Sequence, residues 1–277
     1  MARDPKRRIE DHLRVRGRFA LAEVDPRSTP GCKDKDEALA RTNRNLALAD
    51  RLQYGLHAEG RRSLLLVLQG MDTAGKDGVI RKVMTAFNPQ GCRVAPFKAP
   101  TAEEAAHDFL WRVWKVTPAR GEVAIFNRSH YEDVLVVRVH ELAPEPVWSK
   151  RYELINQFER QLADSGTTVL KFFLHISRDE QRERLLERLD DPAKHWKFNA
   201  GDLDERARWK DYQRAYQDAL TRCSTPHAPW YVIPSDRKWY RDLAISEIVA
   251  GHLASMDPRP PVVKLDVKGF RTRLAKD

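Results

Sequence analysis

The sequence predicts an α/β fold, a parallel sheet sandwiched by helices. Three observations predict it: short continuous apolar runs, helical segments alternating with them, and a glycine-rich turn joining the first run to the helix behind it. Apolar runs at 63–69, 93–97, 122–126, 168–176 and 230–234 read as strands buried on both faces. Segments at about 77–87, 101–115, 147–165 and 178–222 carry helical character and supply the crossovers.

Taken in order, residues 1–35 are charged and broken by Pro26, Pro30 and Gly31, which predicts an irregular arm. From Asp36 to Glu59, Leu39, Leu46, Ala49, Leu52 and Leu56 recur at helical spacing, and Gly60 is placed to end the helix. Ser177 and Glu180 form a capping-box start to the segment 178–222. There Arg178, Arg182, Arg184 and Arg188 face outward from an expected buried stripe of Leu185, Leu186 and Leu189, with a break at Asp190-Asp191-Pro192. Trp209, Tyr212 and Tyr216 follow at i, i+3 and i+7, a stripe better explained by helix packing than by base stacking. After Met256, Pro258, Pro260 and Pro261 predict an extended tail wrapped on the surface or on a neighbouring subunit. The expected division is an arm and helical extension (1–60), a main domain (61–256) with a lid at about 178–222, and a tail (257–277).

The 277 residues carry 49 Lys and Arg against 40 Asp and Glu, a net charge of +9 that points to an anionic partner. With 42% hydrophobic residues the chain can bury a core, which argues against global disorder. Arg3, Lys6, Arg7 and Arg8 are followed by no apolar core of a secretory leader, and no run approaches 18 apolar residues. Cys32, Cys92 and Cys223 are few, odd in number and far apart, against a disulfide framework or a zinc site. A cytoplasmic location and no membrane partner are therefore expected. A nucleic-acid-binding protein would also be basic, but neither a recognised module nor aromatics interleaved on a basic strand are found, so no nucleic acid is expected.

The first strand runs into Gly70-Met71-Asp72-Thr73-Ala74-Gly75-Lys76-Asp77-Gly78, the pattern G-x-x-x-x-G-K opening a helix. The glycines let successive N–H groups point at phosphate oxygens, Lys76 adds a point charge and the helix N-terminus adds its dipole. Asp77 stands where Ser or Thr usually binds Mg²⁺, and Asp72 lies inside the loop. Carboxylates facing phosphate are tolerable when a cation bridges the two, so Asp72 and Asp77 are candidate metal ligands. The third strand ends in Asn127-Arg128, where P-loop kinases often place a metal-binding Asp, so Glu132 and Asp133 join the candidates. Arg128 is placed to face the transferred group, and His130 is read as a packed or hydrogen-bonding residue. A cation-rich segment after the fourth strand fits a mobile lid. Arg81 and Lys82, with Arg184, Arg188, Lys194 and Lys238, can form a continuous cationic track, and Arg237 adds charge at the sheet's carboxyl edge.

Four motifs, GMDTAGKDG, FNRSHYEDVLV, RLDDPAKHWKF and SDRKWYR, together resemble polyphosphate kinase family 2 over roughly residues 36–256. The resemblance implies a thymidylate-kinase-like P-loop fold with a helical lid. It also implies Mg²⁺ (with Mn²⁺ as a substitute) and reversible transfer between inorganic polyphosphate and nucleoside phosphates. Carried over, the catalytic set is Asp72, Lys76, Arg128, Arg184 and Arg188. Gly70, Ala74, Gly75, Lys76, Asp77, Gly78, Arg81, Lys82, Lys194, Arg237 and Lys238 are expected on the phosphates, and Asn127, Arg128, Glu132 and Asp133 on the nucleotide. Asn127-Arg128 with the downstream Tyr131-Glu132-Asp133 resembles the subclass that phosphorylates both AMP and ADP to give ATP. A homo-oligomer, dimer or tetramer, is expected. An ATP-dependent nucleoside or nucleotide kinase would share the loop and lid, but it would not need so long a cationic track.

Overall fold

Five strands, β1 (Ser63–Gln69), β2 (Cys92–Pro96), β3 (Val123–Asn127), β4 (Thr167–His175) and β5 (Trp230–Pro234), pair in parallel in the order β2-β3-β1-β4-β5. The computed structural model describes residues 8–275, so the basic start at Arg3, Lys6 and Arg7 lies outside the described residues. Every residue of the central β1 is buried, as a strand covered on both faces requires. Its side chains alternate between two cores. Leu64, Leu66 and Leu68 pack with Ile125, Leu170 and Phe172, while Leu65 and Val67 pack with Phe126, Val169 and Phe173. Each such side chain contributes about 1.5–3 kcal/mol by leaving water.

Among the described residues the strands alternate with α-helices: α1 (Ile9–Leu13), α2 (Lys35–Glu59), α3 (Lys76–Val83), α4 (Ala102–Ala106), α5 (Trp111–Trp114), α6 (Val136–Val139), α7 (Glu145–Asp164), α8 (Arg178–Asp190), α9 (Gly201–Ala207), α10 (Trp209–Arg222), α11 (Lys238–Met256) and α12 (Val267–Leu274). Helices α2, α3 and α11 bury residues in the Leu64 core, and α7 and α10 in the Leu65 core. Helix α2 starts where the Asp34 carboxylate accepts from Glu37 N–H (2.9 Å) and stops at Gly60, whose φ of 61° is left-handed.

The structure departs from the sequence expectations in several places. The arm is not irregular throughout: Ile9, Leu13, Val15 and Leu21 are buried, and Val15 N–H donates to Trp230 O (2.9 Å) along the outer edge of β5. That contact covers an edge strand that would otherwise template aggregation. The segment expected as one helix over 101–115 is two short ones, because Asp108 Oδ1 accepts from Leu110 N–H (2.9 Å) and starts a new turn. The lid breaks after Asp190 as expected, and again between α9 and α10. Of its predicted apolar stripe only Leu185 is buried; Leu186 and Leu189 are 48% and 46% exposed, because Gln181 and Arg184 take the inward face. Helix α11 is so buried along its length that it shows no amphipathic period to read. The tail is not extended throughout: Asp266 caps Gly269 N–H (2.9 Å) and opens α12.

Candidate active site

The parallel register brings the carboxyl ends of β1, β3 and β2 abreast, with Asn127 paired to both Leu68 and Pro96. Arg128 N–H donates to Leu68 O (3.0 Å) and Phe97 N–H to Asn127 O (2.9 Å), so the pairing runs one residue beyond each strand. The 70–75 loop, Arg128 and Phe97 therefore stand side by side at the edge where ligands of such sheets bind. Thr73 and Arg128 hold left-handed φ of 64° and 61°, a cost of about 1–2 kcal/mol each for a side chain bearing a Cβ. Side chains from the lid hold the loop in place: Gln181 Nε2 donates to Asp72 O (3.1 Å) and Arg184 to Thr73 O (2.9 Å). Gly75, at φ 103°, holds a backbone conformation that strains any other residue, and a Cβ there would displace the Arg241 guanidinium, whose nearest nitrogen would lie 2.0 Å away.

Lys76 is buried, and its ammonium donates to Gly70 O (2.7 Å) and Met71 O (3.2 Å). Burial, then the nearby Arg128, pushes its pKa below the ordinary lysine value. Arg128 donates to Asp72 Oδ1 (2.7 Å) and lies 3.9 Å from Glu132. Burial opposes its charge, but Glu132 and Asp72 outweigh that and hold its pKa above the ordinary arginine value. Asp77 Oδ1 accepts from Asn127 Nδ2 (2.9 Å), and Glu132 from Gln69 Nε2 (3.0 Å). Asp133 accepts from Arg151 (2.9 Å), yet burial pushes its pKa up to about 6.

Two cavities open here. One, of about 760 Å³, is lined by ten Lys or Arg against four carboxylates and suits a polyanion. Of the residues expected on phosphate, Gly75, Lys76, Asp77, Gly78, Arg81 and Lys82 line it. So do Lys194 and Lys238, together with Arg184 and Arg188. The other, of about 590 Å³, has apolar walls (Phe97, Phe109, Val136) and four Lys or Arg against six carboxylates, composition suited to a nucleoside. Gly70, Glu132 and Asp133 line this one, whereas Asn127 lines the first. Asp72 and Arg128 line both, so the cavities meet at their ion pair. Ala74 is fully buried behind the loop, and Arg237 lies over the Trp239 ring.

The four carboxylates singled out for metal do not converge. Among the described residues no group of three or more His, Cys, Asp or Glu is placed to hold an ion. Asp72 and Asp77 both line the cationic cavity, a pair of hard oxygen donors of the kind that holds Mg²⁺ when phosphates and water complete the shell. His130 is buried against Glu159 (3.2 Å), the packed role expected of it.

The family model described as Polyphosphate kinase 2 (PPK2) matches residues 32–261. The chain belongs to this family. It is 54% identical over 249 residues to the AMP/ADP-polyphosphate phosphotransferase of Meiothermus ruber, covering 88% of this chain and 92% of that one. It is 48% identical over 217 residues to the ADP-polyphosphate phosphotransferase of Rhodopseudomonas palustris, covering 74% and 75%. A solved structure of polyphosphate kinase 2 from Arthrobacter aurescens TC1, 45% identical, matches with a TM-score of 0.94 over 98% of each chain.

Within this polyphosphate kinase 2 fold several site residues escaped the sequence reading. Arg241, 4% exposed, reaches from α11 beneath Gly75 and lines the polyanion cavity. Arg112 and Arg151 enter the second cavity from α5 and α7 and stack on Phe97 and Phe109. Phe97 had a signal, since it follows a strand at the ligand-binding edge. The three arginines lie on helices whose placement only tertiary packing fixes. Tyr212 and Tyr216 pack in the core as expected and show an edge to the second cavity.

Proposed function

We propose that this chain transfers the terminal phosphoryl group of inorganic polyphosphate to AMP and ADP, and runs the reverse reaction as well. The observation that carries the reading is the junction of a strongly cationic cavity with a nucleoside-sized one at Asp72 and Arg128. The names of the Meiothermus ruber and Rhodopseudomonas palustris relatives support the substrates, and the former supports acceptance of both AMP and ADP.

The polymer lies along Lys76, Arg81, Lys82, Arg188 and Lys194, with its terminal phosphorus at the junction. A terminal phosphate oxygen of the nucleotide, entering from the other cavity, bonds to that phosphorus as the bridging P–O bond to the polymer breaks. The shortened polymer leaves with the bridging oxygen. The protein supplies no nucleophile; its part is positioning and charge neutralisation. Arg128 reaches the transferring group, and Lys76, released from Gly70 and Met71 carbonyls, binds the polymer end. Asp72 and Asp77 would hold Mg²⁺, which neutralises phosphate charge when bound. Arg184 acts through the loop: its guanidinium, 6% exposed, donates to the carbonyls of Thr73, Ala74, Ser235 and Asp236.

The test is to incubate the protein with long-chain polyphosphate, Mg²⁺ and either AMP or ADP, and to separate the nucleotides by chromatography. ADP should give ATP, AMP should give ADP and then ATP, and excess EDTA should abolish both. Product formed from ATP as donor but not from polyphosphate would instead make this an ATP-dependent nucleotide kinase.

A further inference from the structure

We infer that Lys171 and Glu159, a buried ion pair that lines neither cavity, are positioning residues for phosphoryl transfer, holding the turn behind Arg128 in place. The inference rests on the role proposed above for Arg128. Both side chains are fully buried, Lys171 at the middle of β4 and Glu159 on α7. Lys171 Nζ donates to Glu159 Oε2 (2.5 Å), Tyr131 OH (2.8 Å) and Cys223 O (2.7 Å), which satisfies all three of its hydrogens. Glu159 Oε1 accepts from Tyr131 OH (2.9 Å) and from His130 Nε2 (3.2 Å). Burial opposes the Glu159 charge, but Lys171 and His130 outweigh it and hold its pKa below the ordinary carboxylate value. Burial also lowers the pKa of His130, so its ring is neutral at pH 7 and Nε2 carries the hydrogen given to Glu159.

Stability is a weak reason for such a pair, because desolvation offsets most of its attraction and apolar side chains of similar size serve a core as well. What the pair does is join three elements that wall the second cavity. His130 and Tyr131 open a single 3-10 turn, His130–Asp133, whose next two residues, Glu132 and Asp133, line that cavity. Helix α7 grips the turn twice: Glu159 holds its start, and Arg151 donates to Asp133 O (3.1 Å) and Oδ1 (2.9 Å) at its end. Cys223 closes α10, which brings Tyr212 and Tyr216 to the same wall. Lys171 bonds to all three elements at once. So short a 3-10 turn has poor hydrogen-bond geometry of its own, and it follows Arg128, whose left-handed φ of 61° persists only where the surroundings over-determine it. Leu68 O fixes Arg128 N–H from one side (3.0 Å), and the buried network fixes the residues two and three places further on. A misplacement of about 1 Å in a group that meets the reacting atoms lowers a rate on the order of a hundredfold.

The experiment replaces the pair as a unit in the full chain, Glu159→Leu with Lys171→Met, so that neither charge is left buried alone. Urea unfolding and far-ultraviolet circular dichroism should match the wild type. Turnover of ADP with saturating long-chain polyphosphate and Mg²⁺ should nonetheless fall about tenfold or more. The same replacement in an Arg128→Lys background separates positioning from a general structural role. If the pair acts through Arg128, it should lower turnover there by less than about twofold. A folded pair variant that keeps more than about a tenth of wild-type turnover overturns the inference, and so does a larger further loss in the Arg128→Lys background. Where the pair variant does not fold, Tyr131→Phe decides, since it removes one hydroxyl of the network and keeps the ring. It should lower turnover about threefold or more at wild-type stability, and a smaller loss overturns the inference. A wild-type chain that makes no ATP from polyphosphate overturns the proposed function instead.

Discussion

Arg128 combines a left-handed backbone, a salt bridge to Asp72 and a place on the wall of both cavities. Strain of this kind persists where the surroundings over-determine it, and here the Arg128 N–H bond to Leu68 does so. Arg128→Lys keeps the charge but loses the planar fork. It should lower turnover on the order of a hundredfold, about 3 kcal/mol of transition-state stabilisation, with melting unchanged within a few degrees. Arg184→Lys should behave differently. It leaves several buried carbonyls unpaired at about 1–3 kcal/mol each, so chemical denaturation should show lost stability together with lost turnover. Asp133 gives a pH signature. Because burial raises its folded pKa to about 6 from 3.8, its contribution to stability falls as pH rises through that window. Above about 6 its carboxylate is charged and opposes an incoming anion; below it the cavity loses one negative charge. Acceptor KM should therefore fall as pH drops from 7 to 5, and Asp133→Asn should lose that part of the dependence. Comparing the two removes the titration of the nucleotide phosphate itself, which also lies near 6.

Two of the four arginines of helix α8 have different surroundings. Arg184 is buried under the loop, whereas Arg188, 22% exposed, ties α8 to Lys197 O (2.9 Å) and Asp202 (3.0 Å) while facing the polyanion cavity. Arg188→Gln should raise KM for polyphosphate several-fold and flatten its dependence on added salt, because one screened contact is lost. The N-terminal arm contributes stability through Glu10, which accepts from Tyr231 OH (2.7 Å) and His252 Nε2 (3.1 Å). The His252 bond, against the cost of burial, lowers the Glu10 pKa from 4.5 to about 2. A depressed carboxylate stabilises above its unfolded pKa and loses that effect as pH falls through the folded one. Glu10→Gln should cost about 1 kcal/mol in urea melts at pH 7, because solvent screens a half-buried carboxylate, a difference that shrinks between pH 4.5 and 2. None of this arm was legible in the sequence, because Ile9, Leu13 and Val15 are too few to show a period until β5 is beside them. The strands were legible because burial on both faces leaves continuous apolar runs. The break at Asp108 was not, since a side-chain cap competes locally with a helical pattern that remains intact.

For the whole molecule, most of the lining of the cationic cavity was legible in the sequence, whereas of the second cavity only Gly70, Asp72, Arg128, Glu132 and Asp133 had been singled out as site residues. The loop, Lys76 and Arg128 are contiguous with strands, so strand position fixes them. The second cavity draws Phe97, Phe109, Arg112 and Arg151 from three separate stretches of chain, and only the packed sheet and helices unite them. Asp72 was singled out because a carboxylate in a phosphate loop is electrostatically costly without a cation, and it stands where the two cavities meet. That junction is the centre of the account, and one measurement reaches it directly: turnover of Asp72→Asn at saturating polyphosphate, ADP and Mg²⁺, beside calorimetric binding of each substrate. Asparagine keeps the size and the turn but loses the charge. The account predicts a fall in turnover on the order of a hundredfold or more, with each substrate still bound within about threefold, under 1 kcal/mol. Turnover above about a tenth of wild type, a cost under roughly 1.4 kcal/mol, would contradict it.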